Sequence, residues 1–375
     1  MEIVPTATVA SGVMGVMGTE GHEQVAYWSA PEVGLRAIIA IHSTRLGPAL
    51  GGTRFYPFES EEAAVADVLR LAKAMSYKSA AAGLDLGGGK AVVIGDPKRD
   101  KTEALLRSYA TFVDSLSGRY YTTEDVGSTV ADMEIIAEET PFVTGKAVEH
   151  GGSGDPSPAT AIGVLAAMRA ASERLWATTD LAGRHVVVLG AGKVGGALVH
   201  HLVDAGCRVT AGDLSDTAVA ALPDSVEIVP PEKAHAVECD VFSPCALGAG
   251  LNPATIPELR CAAVVGSANN QLATPECGDL LDRARVLYIP DYVANAGGVI
   301  NIAFEIGRPY SWTEAEAAVL RVFDNTRAVL DRAERERITT ASAADRIAQE
   351  RIAKGDHSGL PPREERAPHA THQRR

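Results

Sequence analysis

The spacing of hydrophobic residues predicts a mixture of strands and helices in the first part of the chain. Short apolar runs predict strands at 25–28 and 35–42, and a glycine-rich turn at 47–57 leads into an aromatic strand. Apolar residues at helical spacing then predict two helices, one after Ser60 and one that begins at Thr102. The first domain is therefore predicted to be mixed α/β.

From Arg184 onward the pattern changes to short apolar runs that alternate with helical or turn segments. These runs lie at 185–189, 208–212, 226–229, 239–242, 262–266 and 286–289. Buried runs separated by crossover segments are typical of a parallel sheet with helices on both faces. A stretch at 150–160 that is rich in Gly, Ser and Pro is interpreted as the linker between two domains.

The first of these runs leads into a glycine-rich turn that is typical of dinucleotide binding. Gly190, Gly192 and Gly195 have the G-x-G-x-x-G spacing between an apolar strand and an apolar helix. Asp213 ends the next strand, at roughly the ~20-residue spacing that lets a carboxylate bind the adenosine ribose. The glycines let a pyrophosphate reach the helix N-terminus, where unpaired N–H groups stabilise it. A dinucleotide site is therefore favoured over a structural turn.

Composition narrows the function classes. The chain has 375 residues, which suggests two domains, and its formal net charge of −13 argues against a nucleic-acid surface. Its five cysteines form no CxxC pair, so neither a disulfide framework nor a zinc site is indicated. Isolated cysteines fit a reducing cytoplasm, and no apolar run approaches the ~20 residues of a membrane helix. We expect a cytoplasmic globular protein.

Two lysines in the segment 75–94 are the first candidates for chemistry. Lys78 and Lys90 flank the glycine run at 87–89. Small residues leave room for a ligand, and a cleft holding two ammonium groups lowers the pKa of each through burial and repulsion. Such a lysine can act as a general base. The alternative is a solvent-facing lysine after a flexible loop. A phosphate-binding loop does not fit, because Lys90 is followed by Ala91 rather than Ser or Thr.

Further polar candidates come from loops. The segment 122–133 is predicted to be a polar loop running into a helix, and Asp125 within it is either functional or a solvated or helix-capping residue. Asn269 and Asn270 follow the run at 262–266, at the carboxyl end of a parallel strand, where ligands bind in such folds. Thr313 and Glu316 are predicted to form a capping box.

The predicted organisation has four parts. Residues 1–150 are predicted to form the first domain, and residues 151–335 the Rossmann domain. A C-terminal helix at 336–355 is expected to pack back on the first domain, and 356–375 to be a disordered tail. Residues 1–24 are interpreted as a loosely held leader.

Five motifs together resemble the leucine, valine and phenylalanine dehydrogenases of the amino-acid dehydrogenase superfamily. They are MSYKSAAAGLDLGGGKAVVIGDP, TTEDVGSTVADM, GDPSPATAIGV, VECDVFSPCALG and PDYVANAGGVIN, and the match spans roughly residues 35–353. The resemblance implies reversible oxidative deamination of an L-amino acid to a 2-oxo acid, with NAD as cofactor and release of ammonia. It also implies a homo-oligomer, a dimer or an octamer, with the active site in the cleft between the domains. Substrate binding, catalysis and oligomerisation are thereby assigned to the first domain, residues 1–150.

The resemblance also implies roles for individual residues. Lys90 and Asp125 are the catalytic pair: neutral Lys90 takes a proton from the attacking water, and Asp125 handles the amine protons. Lys78 binds the substrate α-carboxylate with help from Asn270. The other substrate contacts implied are Gly51, Leu50, Thr123, Val299 and Ile302. The cofactor contacts implied are Thr160, Gly190, Gly192, Lys193, Val194, Gly195, Asp213, Leu214, Ala246, Leu247, Ala268 and Asn270. No metal is implied.

Two departures from the family pattern bear on the substrate. Glutamate dehydrogenases carry a lysine for the side-chain carboxylate where this chain has Leu50, which argues against an acidic substrate. Position 123, often Ala in leucine enzymes and Gly in phenylalanine enzymes, is Thr. A branched-chain amino-acid dehydrogenase is therefore the leading hypothesis. The alternatives are a phenylalanine-preferring relative and an NAD-binding scaffold or sensor that has lost catalysis.

Overall fold

The computed structural model describes residues 12–246, 248–355 and 357, which form two compact units. The first unit is made of the chain up to Gly154 and the segment from Arg351. The second is made of Asp155–Glu350 together with Ala81–Gly83. Both units combine helices with a β-sheet, so the predicted α/β class with two domains is confirmed.

The first unit is built on a five-stranded mixed sheet with the strand order β1-β2-β4-β3-β5. Strand β2 is antiparallel to β1 and β4, whereas β3 is parallel to β4 and β5. The elements in chain order are α1 (Val13–Glu20), β1 (Gln24–Ala30), β2 (Leu35–Ser43), β3 (Ala49–Tyr56), α2 (Glu61–Ala81), β4 (Gly87–Ile94), α3 (Glu103–Ser115), β5 (Tyr120–Glu124) and α4 (Val130–Ala137).

The two predicted helices of this unit form where their capping residues place them. The Ser60 hydroxyl accepts a hydrogen bond from Ala63 N, and Thr102 accepts one from Leu105 N. Each helix buries its apolar stripe against the sheet. The buried stripe residues are Val65, Val68, Leu69 and Ala72 on α2, and Leu105, Leu106, Tyr109, Phe112 and Val113 on α3.

Three sequence-based expectations are wrong. The supposed leader at 1–24, of which residues 1–11 lie outside the described residues, contains α1, whose Val13 and Met17 pack on the cluster beneath α2. The supposed polar loop after Tyr120 is strand β5 through Glu124. The predicted capping box does not form, because that helix begins at Trp312, one residue before the predicted cap.

The second unit contains a six-stranded sheet with the order β11-β10-β9-β6-β7-β8, and every neighbouring pair is parallel. The order reverses beside β6, where β7 lies on one side and β9 on the other, which is where such sheets bind ligands. The elements are α5 (Ser157–Trp176), β6 (His185–Leu189), α6 (Lys193–Asp204), β7 (Arg208–Gly212), α7 (Asp216–Ala220), β8 (Glu227–Ile228), β9 (Val241–Pro244), β10 (Ala263–Val264), α8 (Glu276–Arg283), β11 (Leu287–Tyr288), α9 (Asp291–Ala294), α10 (Gly297–Ala303), α11 (Trp312–Leu320), α12 (Val322–Glu336) and α13 (Thr340–Lys354).

Each apolar run predicted as a strand of this sheet overlaps one, although β9 ends two residues later than predicted. The strands are short, and apart from the exposed edge strand β8 they are mostly buried, as expected where helices cover both faces of a parallel sheet. Among the residues that the structure describes, no helix is long and apolar enough to cross a membrane.

Candidate active site

The glycine run of β4 brings helix α2 onto the sheet. A Cβ placed on Gly88 would overlap the backbone nitrogen of Ser76, so only glycine lets the helix pack this closely. Gly87 and Gly89 are likewise covered by protein atoms, those of Ser43 and Tyr120. The expectation that this run leaves space for a ligand is therefore wrong, since the space is filled by the protein's own backbone and side chains.

The close packing of α2 on β4 determines where both candidate lysines lie. Lys78 lies two residues beyond Ser76 in the last turn of α2, and Lys90 lies two residues beyond Gly88 in the middle of β4. Lys78 is half-buried and Lys90 is 5% exposed. The tight crossing thus fixes the positions of the two ammonium-bearing residues relative to each other.

The ammonium of Lys90 forms an ion pair with Asp125, with Nζ 3.0 Å from Oδ2. Asp125 directly follows β5, two strands away from β4 in the sheet, and β3 lies between them. Asp125 is not a helix cap, because Thr129 caps α4. Its backbone N–H donates to the Ser128 hydroxyl, which holds the turn after the strand in place.

An arginine that the sequence analysis missed completes this cluster. Arg54 on β3 donates from Nε to Oδ2 of Asp125 at 3.0 Å and from Nη1 to Oδ2 of Asp67 at 2.8 Å. Arg70 binds the other oxygen of Asp67 at 2.8 Å. Two cations therefore meet on one oxygen of Asp125.

Burial and these charges shift the pKa values of the pair. Burial lowers the pKa of Lys90, Asp125 opposes that effect, Arg54 adds to it, and the net shift is downward. Burial raises the pKa of Asp125, but Lys90 and Arg54 outweigh it, so this pKa is also lowered. The neighbouring cation that lowers the pKa of Lys90 is thus Arg54. A buried lysine beside an ionised carboxylate can exchange protons near neutral pH.

The other predicted substrate contacts of the first unit lie on β3 and β5. Leu50 is fully buried, and Thr123 is 7% exposed. Gly51 accepts a hydrogen bond from the Tyr120 hydroxyl. The Thr123 hydroxyl oxygen lies beside Gly145, where an added Cβ would come within 2.7 Å of it.

In the second unit, Val299 and Ile302 are one helical turn apart on α10 and are 5% and 7% exposed. Asn270 has a left-handed backbone with φ of 52°, a conformation that asparagine tolerates better than most residues. Its carbonyl accepts a hydrogen bond from Ala249 N at 2.6 Å, which fixes the turn after β10.

The glycine-rich turn between β6 and α6 has the shape that a dinucleotide needs. Gly190 has φ of 101°, and a Cβ there would lie 2.7 Å from Ala246 N. A Cβ on Gly195 would overlap the carbonyl of Gly190. Beside Gly192, by contrast, there is open space, and no side chain caps α6. An accessible helix N-terminus of this kind fits a pyrophosphate.

Asp213 directly follows β7, and one of its carboxylate oxygens binds the turn between β6 and α6. Oδ2 accepts from Ala191 N at 2.6 Å, and Oδ1 accepts from Ser215 N at 2.7 Å. Leu214 beside it is 90% exposed. Lys193 forms an ion pair with Asp155 at 3.0 Å.

The remaining predicted cofactor contacts surround this turn or lie on α5. Val194 is half-buried in the first turn of α6, Ala246 is exposed and Ala268 is buried. The Thr160 hydroxyl donates to Pro156 O at 2.9 Å. Leu247 lies outside the described residues. Within the described part of the chain, no group of three or more His, Cys, Asp or Glu side chains is placed to hold a metal ion.

Comparison with known proteins assigns the chain to a protein family. Residues 22–142 match the Glu/Leu/Phe/Val dehydrogenase dimerisation domain, and residues 211–358 match the Glutamate/Leucine/Phenylalanine/Valine dehydrogenase domain. The chain belongs to the Glu/Leu/Phe/Val dehydrogenase family. The resemblance seen in the sequence motifs is thereby confirmed.

Relatives within this dehydrogenase family align over nearly the whole chain. Leucine dehydrogenase of Geobacillus stearothermophilus is 48% identical over 90% of this chain and 92% of its own length. Valine dehydrogenase of Streptomyces virginiae is 49% identical over 89% of this chain and 94% of its own. The crystal structure of L-tryptophan dehydrogenase from Nostoc punctiforme is similar with a TM-score of 0.82 at 38% identity, covering 91% and 99% of the two chains.

Proposed function

We propose that this dehydrogenase catalyses the reversible, NAD-dependent oxidative deamination of branched-chain aliphatic L-amino acids to 2-oxo acids, with release of ammonia. The substrates are valine, leucine and isoleucine. The observation that carries the proposal is the buried ion pair of Lys90 and Asp125, set beside Arg54 in a chain 48–49% identical to leucine and valine dehydrogenases.

Lys90 and Asp125 divide the proton transfers between them. A bound nicotinamide supplies the acceptor for the hydride that leaves the substrate Cα. Water then attacks the resulting iminium carbon of the substrate, and neutral Lys90 takes a proton from that water. Ionised Asp125 takes a proton from the substrate ammonium before the hydride leaves and returns it to the nitrogen after water has attacked, so that ammonia can leave. The lowered pKa of Lys90 supports this assignment, because a lysine with an ordinary pKa is almost wholly protonated at neutral pH.

Lys78 binds the substrate α-carboxylate through its ammonium. Its place in the last turn of α2, beside the crossing with β4, supports this role. The roles of Asn270, Val299 and Ile302 toward the substrate stay predictions from the sequence motifs.

The cofactor is NAD, held by the turn between β6 and α6. The open space at Gly192 and the uncapped N-terminus of α6 receive the pyrophosphate. The carboxylate of Asp213 accepts hydrogen bonds from the adenosine ribose hydroxyls and repels a 2′-phosphate. No arginine follows Asp213 to neutralise that phosphate, since the next residues are Leu214, Ser215 and Asp216.

Leu50 and Thr123 determine which substrate side chains the enzyme accepts. A carboxylate buried against Leu50 would lose its hydration without gaining a partner, which excludes acidic substrates. Thr123 takes up volume that Ala or Gly would leave open, which disfavours an aromatic ring. A phenylalanine-preferring enzyme is the second candidate, because a similar structure 38% identical to this chain is named L-tryptophan dehydrogenase, and tryptophan is also an aromatic amino acid.

The protein acts as a homo-oligomer, a dimer or an octamer, in the cytoplasm. Residues 22–142 match a domain described as a dimerisation domain, which supports association of identical chains. All five cysteines are free, as expected in a reducing compartment.

The test is the product balance of the reaction. With purified protein, NAD and L-valine, we expect NADH, ammonia and the 2-oxo acid to form in equal amounts, and the Lys90→Ala variant to lose most of this turnover. NADH without ammonia, or no NADH from valine, leucine or isoleucine, would overturn the proposal.

A further inference from the structure

The two carboxylate oxygens of Asp125 have different surroundings. Oδ2 receives both Lys90 Nζ and Arg54 Nε, each at 3.0 Å. Oδ1 receives no hydrogen bond from any residue that the structure describes. The side chain is 24% exposed.

Arg54 is itself fixed from a second side. Its Nη1 lies 2.8 Å from Oδ2 of Asp67, and the Arg70 guanidinium holds the other oxygen of Asp67. A planar guanidinium can bind two carboxylates at fixed angles, whereas an ammonium cannot reproduce that geometry. Arg54 therefore links α2, which carries Asp67, to the turn that carries Asp125.

We propose that Arg54 is a positioning residue that occupies Oδ2 of Asp125 and thereby leaves Oδ1 as the oxygen that exchanges protons with the substrate nitrogen. The inference rests on the proposed function, because it takes Asp125 as the group that handles the amine protons. Arg54 itself contacts neither substrate nor cofactor in this assignment.

The charge balance shows why the mechanism needs a second cation here. When Lys90 gives up its proton to act as a base, it no longer stabilises the charge of Asp125. Arg54 stays protonated at all working pH values and keeps Asp125 ionised at that moment. In the ion pairs of this cluster, Asp125 is faced by Arg54 from β3 and by Lys90 from β4. Asp67 from α2 belongs to the same cluster through its ion pair with Arg54.

Replacing Arg54 with a neutral residue should therefore raise the pKa values of both Asp125 and Lys90. Asp125 loses a cation that lowers its pKa, and Lys90 loses a cation that lowers its own. Both pKa values rise, so the pH profile of kcat/KM moves to higher pH. An arginine beside a carboxylate typically shifts its pKa by about 1–3 units, so a displacement of about one unit is expected.

The experiment compares four variants with the wild type across the pH range. Arg54→Gln should lower kcat about 10–100-fold with little change in KM, and should move the pH profile upward by about one unit. Arg54→Lys keeps the positive charge, so its pH profile should lie close to that of the wild type. Its kcat should recover less completely, because an ammonium does not reproduce the geometry of the guanidinium. Asp67→Asn should fall between wild type and Arg54→Gln. Arg70→Gln, which removes an arginine from Asp67 but none from Asp125, should match the wild type.

An Arg54→Gln variant that folds, by circular dichroism, and keeps the wild-type kcat and pH profile would overturn the inference. If that variant does not fold, an Arg54→Lys variant that folds but whose pH profile is displaced upward by about one unit, although the positive charge is kept, would overturn it as well. Either result leaves the proposed function standing, because the wild type would still deaminate its substrates.

A second measurement does not depend on activity. The Asp125 carboxyl can be titrated by NMR in protein labelled with ¹³C at the aspartate carboxyls, with Asp125→Asn to assign the signal. Arg54→Gln should raise the pKa of Asp125 relative to wild type, and identical titrations would overturn the inference. A wild type that oxidises no L-amino acid would overturn the proposed function instead, and the NMR comparison would still decide the effect of Arg54.

Discussion

The Lys90 ammonium lies 3.0 Å from Asp125 Oδ2, although strand β3 lies between β4, which carries Lys90, and β5, which Asp125 directly follows. The pair can bridge β3 because that strand has glycine at the crossing point. A Cβ on Gly52 would lie 2.8 Å from Cβ of Asp125 and 2.7 Å from Glu124 O. Glycine in β3 thus determines how closely the carboxylate approaches the lysine.

This relationship predicts the effect of Gly52→Ala. The added methyl must displace the backbone at Glu124 and the side chain of Asp125, since neither distance allows a real Cβ contact. We expect kcat to fall at least tenfold, because misplacing a reacting group by about 1 Å costs up to ~10²-fold. Gly18→Ala is the control, since nothing lies near that position and it should retain wild-type kcat. Equal kcat for both variants would show that Gly52 does not set the geometry.

The division of labour between the lysines is tested by replacing each with alanine. Lys90→Ala should lower kcat by about 10²–10⁴-fold, the usual loss for a general base. Lys78→Ala should chiefly raise KM, because an ammonium that binds a carboxylate acts equally in the ground and transition states. Steady-state kinetics separate the two effects. Wild-type turnover in Lys90→Ala would remove the basis of the mechanism.

The acid stability of the first unit should depend on His42. Burial lowers the pKa of His42 to about 4, with a further contribution from His22, whose ring centroid is 4.9 Å away. The Glu20 carbonyl and Glu23 oppose this shift, and Lys73 adds to it. Because the unfolded residue titrates near ~6.5, protonation favours unfolding. The contribution of neutral His42 to the free energy of unfolding is fully present above pH 6.5. It falls by on the order of 3 kcal/mol as the pH drops to about 4.

Urea unfolding at fixed protein concentration measures this effect. The loss of unfolding free energy between pH 7 and pH 4.5 should be smaller in His42→Gln than in wild type. His200→Gln, which changes an exposed histidine on α6, should behave like the wild type. The same loss in all three proteins would contradict the assignment to His42.

Cofactor selection should depend on Asp213. The wild type should use NAD with a higher kcat/KM than NADP, because a carboxylate repels a 2′-phosphate. Asp213→Ser should narrow that ratio by about tenfold or more, since hydrogen bonds to charged groups are worth about 1.5–3 kcal/mol. Asp216→Asn also removes one negative charge but should leave the ratio unchanged. Equal or better efficiency of the wild type with NADP would contradict this role.

Motifs in the sequence were enough to locate the principal candidates. The parallel sheet of the second unit follows from apolar runs with crossovers, and the family follows from five motifs in order. Lys90 and Asp125 were both found in this way. Arg54 was not, because its bond to Asp125 joins positions 71 residues apart with no spacing signal. It could have been noticed as a charged residue inside a strand that is otherwise buried.

Two misread elements also have physical reasons. Strand β5 is polar in sequence, but its Thr122 hydroxyl is satisfied inside the protein by Thr53 at 2.5 Å and Tyr109 at 3.2 Å. Helix α1 is rich in glycine, which disfavours helices, yet Met17 packs on the core. Tertiary contacts decide both segments, and these are not visible in local sequence.

Thr123 offers a direct test of the substrate site. If its side chain limits the pocket, Thr123→Gly should raise kcat/KM for phenylalanine while changing that for valine little. One methylene in a hydrophobic pocket is worth about 1–3 kcal/mol, so the gain should be about tenfold or more. Leu116→Val, a small truncation in the core of the same unit, is the control and should leave the ratio unchanged. No gain in Thr123→Gly would place the threonine away from the substrate.

The most direct test of the central claim is kcat/KM of the purified wild type for five L-amino acids with NAD. We predict high values for valine, leucine and isoleucine that overlap within about a hundredfold, a lower value for phenylalanine and no turnover of glutamate. A higher kcat/KM for phenylalanine than for both valine and leucine, or efficient oxidation of glutamate, would contradict the account.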